Sequence, residues 1–580
     1  YSPEGYVKSV SLSGGKNLTT ERDNLGRVKS KTISTTTPIT DSYTYKSSSK
    51  SGYTTGLVHR HTNALGSYIY SYDDDGNITD IESSDGTLLY TYEYDELGQL
   101  IEECSRPEQK CITYTYDLNG NITTKTEYPV EISLKDHIFK VETPTRTYTY
   151  SYNNDLWKDE LTSYTRVIHD SSGDRTYTTP ANTYDAIGNP TKYFGSDLEW
   201  DYGRQLRRFD SGLYDTTYSY NADGMLIKQD VTYNTIPDYP INYSYENFYD
   251  GTTLIRRTGP GFDAWFDYDE SGSPVGMNVT TTTGSSSNPT VTTAQYYFVK
   301  NLQGDIVAIA DATGEIQFTY TYDSWGKVLS TKGQGNSSPS VLDASCPANI
   351  NPFRYRGYYY DGINEIYWLQ SRFYDPNTGR FLNADGYVST GQGILSTNMF
   401  LYCGNNPVNR LDSNGEFFLT ATAFGIIGLT LLLFAGTAII LEETAKNPPL
   451  IPPISPPCLD IKLKIKENTL DLPKLDEKEK DITAPPPPSS GTKIYRYGGT
   501  NPSNLTPKEK DKFSGLSFST IPKPGAAVTT IEELNATGVV YAVRDNALQL
   551  KYDHLLNVRL FLFQNDVADH LSQDIIYIHP

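Results

Sequence analysis

Methionine, tryptophan and cysteine are scarce in this 580-residue chain, with three, five and five copies, and 20 phenylalanines stand against 48 tyrosines. An ordinary dry interior is excluded by that imbalance, because it would favour Leu, Ile, Val and Phe, whose burial leaves no hydroxyl to satisfy. The cysteines (Cys104, Cys111, Cys346, Cys403 and Cys458) are too scattered for a metal site, and an odd number excludes complete pairing. Only Cys104 and Cys111 are close, flanking the turn-rich residues 105–110. They form either a bridged hairpin in an oxidising space or two free thiols. Basic residues are also short, 49 against 70 acidic ones for a net charge of −21. That balance argues against nucleic acid on this surface, since phosphate contacts need clustered Lys and Arg; solubility is the plainer account. No Met opens the chain and no signal peptide follows. Tyr1 falls inside a repeat, so a fragment with its export signal upstream is expected.

Tyrosine, threonine, serine and glycine are abundant instead, and they are organised. The unit aromatic-x-Tyr-Asp-x-x-Gly-x-aliphatic recurs at Tyr70-Tyr72-Asp73-Gly76-Ile78, Tyr92-Tyr94-Asp95-Gly98-Leu100 and Tyr114-Tyr116-Asp117-Gly120-Ile122. It returns at Tyr218-Tyr220-Asn221-Gly224, Phe266-Tyr268-Asp269-Gly272 and Tyr320-Tyr322-Asp323-Gly326-Val328. Tyr184-Asp185-Gly188 and Trp200-Tyr202 are divergent copies. Residues two apart on a strand share a face, so each Tyr-x-Tyr pair presents two rings to one side. The Asp accepts backbone amides and starts a turn, the Gly supplies the positive φ that a short hairpin needs, and the aliphatic residue opens the return strand. Each unit is therefore one β-hairpin, and successive hairpins satisfy one another's edges in a long sheet. Such a sheet either curls round a hydrated or filled space or remains an open solenoid with a ladder of rings.

From residue 296 the sequence acquires a second kind of motif. Tyr297-Phe298-Val299-Lys300-Asn301-Leu302-Gln303-Gly304-Asp305, Phe353-Arg354-Tyr355-Arg356-Gly357-Tyr358, Leu369-Gln370-Ser371-Arg372-Phe373-Tyr374-Asp375-Pro376, Gly379-Arg380-Phe381-Leu382-Asn383-Ala384-Asp385 and Asn405-Asn406-Pro407-Val408-Asn409-Arg410-Leu411-Asp412 resemble the Rhs repeat-associated core. With the repeats, residues 1–415 resemble the Rhs/YD-repeat family, which includes the C components of insecticidal toxin complexes and the shell of teneurins. The resemblance implies a hollow β-cocoon over residues 1–295, plugged by a core over 296–415 and enclosing its own C-terminal domain as cargo. It also implies aspartyl self-cleavage, with Arg372, Asp385 and Asp412 as the residues in question. Two carboxylates brought close can divide acid and base roles, and an arginine can order them. The family's Asp-Pro-x-Gly-Leu reads here Asp412-Ser413-Asn414-Gly415-Glu416, which alters the turn and the scissile position expected after 416. The simpler alternative is that both acids are turn residues of a folded plug.

Residues 417–441 carry no charge, and a transmembrane-type helix is expected over 416–443. It spans a membrane, whether of a target cell or as an anchor, or is sheltered in the shell. Residues 444–490 read as a Pro-rich charged tether. Residues 491–580 regain order as a small variable α+β domain, with strands near 494–497, 515–520 and 539–543 and a helix near 530–535. Arg496, Ser519 and Glu532 or Glu533 resemble an ADP-ribosyltransferase set, although Glu532 follows Ser519 closely and no Glu-x-Glu strand exists. An ion-paired Arg496 and a sheet-edge Ser519 are the alternative, and His554, His570 and His579 lack the acid partners of a nuclease cluster. The overall expectation is a mainly β polymorphic-toxin delivery protein, secreted or at the cell surface. Its expected partners are its own C-terminal domain, a target membrane and an immunity protein, with no cofactor or metal. A surface adhesion protein with a membrane anchor is the competing class.

Overall fold

The computed structural model describes residues 2, 5–47, 54–132, 137–234, 241–285, 288–386 and 394–416, and the backbone of 419–420, 493–496, 516–519, 527–530, 541–544 and 577–579. The chain divides into two compact units, Tyr1–Pro448 and Pro449–Pro580. In the first, the repeats build two antiparallel meanders. A 15-stranded sheet runs from Ser9–Leu12 to Arg175–Thr178, and a 14-stranded sheet from Thr183–Tyr184 to Val328–Gly333. The second sheet thus continues past residue 295 into the range assigned to the core.

The turns follow the chemistry of the repeat. Asp95 Oδ1 accepts the amides of Leu97 and Gln99 at 2.9 and 2.8 Å, and the Gly98 amide donates to the Asp95 carbonyl at 2.9 Å. Gly98 has φ 73°, in the left-handed region that glycine occupies without cost. At each such turn the ladder shifts register, as between Glu93 and Tyr94 or Thr115 and Tyr116.

The two tyrosines of a repeat have different work. The second donates its hydroxyl to a carbonyl of an earlier repeat: Tyr94 to Ile78 at 2.8 Å, Tyr116 to Leu100 at 2.5 Å, Tyr220 to Leu206 at 2.8 Å and Tyr322 to Ile306 at 2.6 Å. The accepting residue is the aliphatic one that opens the return strand, beside the register shift. Phenylalanine could fill the same space but not cap that carbonyl, which explains why this interior uses so much Tyr. The first tyrosine is buried more deeply, as Tyr70, Tyr92, Tyr114, Tyr218 and Tyr320 show.

What buries it is the core segment. Four short strands, Tyr359–Asp361, Ile366–Trp368, Phe373–Asp375 and Arg380–Phe381, form a small sheet between the inner faces of the two large ones. Alternation sorts its side chains: Ile366, Trp368, Phe373 and Leu382 pack with the second sheet, and Tyr367, Tyr374 and Phe381 with the first. Because both faces are covered, these strands are apolar at successive positions rather than alternately. Tyr193 donates to Asp375 at 2.8 Å and Tyr320 to the Ala348 carbonyl at 2.9 Å, so inner hydroxyls find partners in the core. Where Tyr193 and Tyr320 point, the space is occupied by polypeptide, the filled rather than the hydrated of the two alternatives.

Cys104 and Cys111 lie directly opposite on adjacent strands and are disulfide-bonded, deciding between the two alternatives; Cys346 and Cys403 are free and buried. Cys458 lies outside the described residues. An ionic seam joins the two sheets: Lys31 reaches Asp269 at 2.6 Å and Glu270 at 3.4 Å, and Ser13 donates to Asp267 at 2.8 Å. Lys300 is half-buried beside it, and loss of hydration pushes its ammonium down to about 8.

Leu419–Thr420 is extended and pairs with Arg410–Leu411, so the helix expected over 416–443 does not begin at 416. A hairpin around 412–416 satisfies those backbone groups instead. The rest of the apolar stretch and the 444–490 tether lie outside the described residues. No helix among the described residues is long and apolar enough to cross a membrane. In the second unit five strands form one sheet in the order Ala527–Thr530, Lys493–Arg496, Leu516–Ser519, Tyr541–Arg544, Tyr577–His579. Thr530, where a helix was expected to start, closes a strand.

Two outcomes are expected of this fold. Tyr94→Phe leaves the Ile78 carbonyl without its hydroxyl and should lower unfolding free energy in urea by about 1–3 kcal/mol; no change would remove the capping role. Lys300 has a folded pKa below its unfolded value of 10.5. From about pH 8 to about pH 10 the unfolded chain therefore holds the extra proton, and stability should rise with pH at up to about 1.4 kcal/mol per unit. Lys300→Met should flatten that rise.

Candidate active site

Arg372, Asp385 and Asp412 stand far apart in the chain and are brought together by three connections of the core. Arg372 follows a tight turn in which Gln370 has φ 63°, and it directly precedes the strand Phe373–Asp375. Asp385 ends the run after Arg380–Phe381, where its amide donates to the Met399 carbonyl at 2.8 Å. Asp412 follows Arg410–Leu411, and its amide donates to the Tyr358 hydroxyl at 2.8 Å. All three are buried.

The Arg372 guanidinium is the hub. Its Nη2 lies 3.0 Å from Asp385 Oδ2 and 3.6 Å from Asp412 Oδ2, and its Nη1 donates to the Met399 carbonyl at 3.0 Å. Its plane covers the Phe381 ring at 3.6 Å, and its Nε donates to the Gly415 carbonyl. Asp412 Oδ1 accepts the amides of Gly415 at 2.8 Å and Glu416 at 3.2 Å. The Gly415–Glu416 peptide is thus held at both ends: its carbonyl by Arg372 and its N–H by Asp412. Gly415 has φ 75°, and a Cβ there would lie 2.7 Å from Ser371 Oγ and 2.8 Å from the Leu369 carbonyl. Only glycine fits.

Burial raises the Asp412 carboxyl above its ordinary value, opposed by Arg372 and by the loop amides. Burial likewise lowers the Arg372 guanidinium, opposed by the two carboxylates. Desolvation is the larger cause for both partners. An acid biased toward its protonated form, a second carboxylate and a cation on a peptide carbonyl are the groups that peptide hydrolysis needs.

The candidates in the second unit are not assembled to the same degree. Arg496 and Ser519 end neighbouring paired strands, with Tyr495 opposite Ser519 in the register. Glu532 and Glu533 lie outside the described residues, as do His554 and His570, while His579 lies in the last strand. The sequence reading missed the residues from the shell that touch the first site, Gly188 and Arg204. Gly188 belongs to a divergent repeat, and nothing in the sequence distinguishes Arg204 from other arginines.

Residues 72–103 match the model of the RHS Repeat family. The repeat carried by those residues is thus similar to the RHS repeat, in keeping with the Rhs/YD-repeat resemblance of the sequence. The tRNA nuclease WapA of Bacillus subtilis is 30% identical over 238 residues, covering 40% of this chain and 9% of that protein. The double-stranded DNA deaminase toxin A of Burkholderia cenocepacia is 24% identical over 213 residues, covering 35% of this chain and 14% of that protein. Among solved structures, a TcdB2–TccC3 complex is similar with a TM-score of 0.44 and 19% identity, covering 71% of this chain and 21% of that one. This chain therefore spans only about a tenth of the length of the curated relatives it matches.

The buried charges of this site have a definite consequence for stability. Asp412 has a folded pKa above 3.8, so its contribution is intact at low pH and is lost as pH rises through the raised value. Asp412→Asn should remove that loss and cost little at neutral pH. Arg372→Met strands two buried carboxylates and should cost about 3–5 kcal/mol in urea unfolding. Equal damage from both substitutions would show that burial of charge does not govern this site.

Proposed function

We propose that this Rhs chain is a toxin-delivery protein whose β-shell carries the C-terminal domain and releases it by aspartyl self-cleavage beside Glu416. The observation that carries the reading is the Gly415–Glu416 peptide held between Arg372 and Asp412, with Asp385 on the same guanidinium. In the reaction, Asp385 takes a proton from water as its oxygen adds to the Gly415 carbonyl carbon. Arg372 stabilises the oxyanion, Asp412 donates a proton to the Glu416 nitrogen, and the C–N bond breaks. Such release would free residues beyond 415, which include the apolar stretch and the second unit. The bond so held lies one position before the cut after 416 that the family pattern implies.

The effector role of the C-terminal domain rests on its position after the core and on the toxin relatives; an ADP-ribosyltransferase-like chemistry through Arg496 and Ser519 remains the finer proposal. Placement outside the producing cell fits the Cys104–Cys111 disulfide. An immunity protein for that domain and a target membrane for the apolar stretch complete the proposal.

Intact-mass measurement of the purified chain should reveal two fragments, the first ending at Gly415 or Glu416. Asp385→Asn and Asp412→Asn should each leave the chain whole. Wild-type and variant chains of identical single mass would end the self-cleavage reading. Expression of residues 491–580 alone should arrest bacterial growth, whereas harmless accumulation would favour a surface-adhesion role.

A further inference from the structure

The residues that hold the scissile peptide all belong to the core, yet the shell also reaches the site. The Ala384 amide donates to the Gly188 carbonyl at 3.1 Å, and the Ala384 carbonyl accepts from Arg204 Nη1. Both backbone polar groups of the residue before Asp385 are therefore held by the second sheet's opening hairpins. The approach is close. A Cβ on Gly188 would lie 2.8 Å from the Ala384 Cβ and 3.0 Å from the Trp157 ring, and Gly188 has φ 82°. The first sheet contributes from the other side: Trp157 packs edge-on against Phe400 at 5.5 Å. The Met399 carbonyl next to Phe400 receives both Arg372 and the Asp385 amide.

Arg204 sits at the tip between the strands Ser196–Asp201 and Gln205–Asp210, and its charge acts on Asp385 and on Asp185. The charged groups round the site are thus Arg372, Asp385, Asp412 and Glu416 from the core, and Arg204 and Asp185 from the shell. Without Arg204, the core would offer three acids to one guanidinium. Arg204, with Asp185 as its own counter-charge on the neighbouring hairpin, brings a second cation to the Ala384–Asp385 end of the site only when the second sheet packs on the core.

We propose that Arg204 is a positioning residue of this site, holding Ala384–Asp385 in register with Arg372 and making hydrolysis conditional on assembly of the shell. The proposal rests on the self-cleavage reading. Its logic is economical for a container, because a core that had folded without its shell would lack the group that completes the site.

The test uses the full chain, refolded from urea over a series of pH values, with the cleaved fraction followed in time. Arg204→Met removes a cation beside a carboxylate, which makes that carboxylate harder to ionise. The acid limb of the cleavage rate should move up by about one pH unit, and Arg204→Lys should return it toward the wild-type position. A uniform loss of rate with an unmoved limb would mean a merely structural role and overturn the proposal. Independently, in chains kept whole by Asp412→Asn, Arg204→Met and Asp385→Asn are combined in a double-mutant cycle read by urea midpoint. Non-additive shifts are expected, and additive ones would overturn the coupling of Arg204 to Asp385 through Ala384. A wild-type chain that never splits removes self-cleavage and any catalytic role for Arg204, while the cycle still decides whether Arg204 holds Asp385.

Discussion

A tyrosine hydroxyl on a backbone carbonyl is the interaction on which the rest of this structure depends. Each turn of the repeat shifts the strand register, and a carbonyl left beside a shift inside a folded sheet is costly without a donor. Tyr94, Tyr116, Tyr220 and Tyr322 supply that donor from the next hairpin. Each of these hairpins is thereby tied to its predecessor by a bond that the ladder itself does not provide. The scarcity of phenylalanine follows from the same fact, since a ring without a hydroxyl would fill the volume and leave the carbonyl unpaired.

Filling of the interior follows from that arrangement. Two sheets that both present tyrosine must cover those faces, and the core segment does so with a four-stranded sheet whose alternate residues belong to opposite partners. Its charged groups are taken inward with it. Buried Arg354, Arg356, Arg372 and Arg380 are each placed over an aromatic ring and hydrogen-bonded to backbone carbonyls or a side-chain amide. Arginine suits this role because its planar, weakly hydrated cation stacks and donates at once. Arg372 is one local case of this general habit, in which the arginine's partners include two carboxylates and a peptide carbonyl.

The two-sheet fold and the candidate chemistry are consequently one packing problem. The loop at 412–416 is shaped by Gly415 against Ser371, Asp385 is placed through Met399 and Ala384, and those in turn rest on Trp157, Gly188 and Arg204 of the two sheets. Displacement of either sheet would be felt at Asp385 within two residues.

Much of this was legible in the chain itself. Local chemistry carries the Asp–Gly turns, the paired rings of Tyr70 and Tyr72, and the hairpin meander, because each depends on residues within one repeat. Family motifs picked out Arg372, Asp385 and Asp412, although nothing in their spacing says that one guanidinium serves both acids. The start of the expected helix was misplaced because Leu419–Thr420 completes a hairpin with Arg410–Leu411, a pairing no hydropathy pattern reveals. Whether the Cys104 and Cys111 thiols meet depended on strand register, and the destination of the inner tyrosines depended on where a segment some two hundred residues later would pack. The sequence alone determined the repeating unit, since turn chemistry and strand alternation act over a few residues. The tertiary structure decided what lies between the sheets, which peptide Arg372 and Asp412 grip, and that Arg204 reaches the core, because contacts across hundreds of residues leave no local signature.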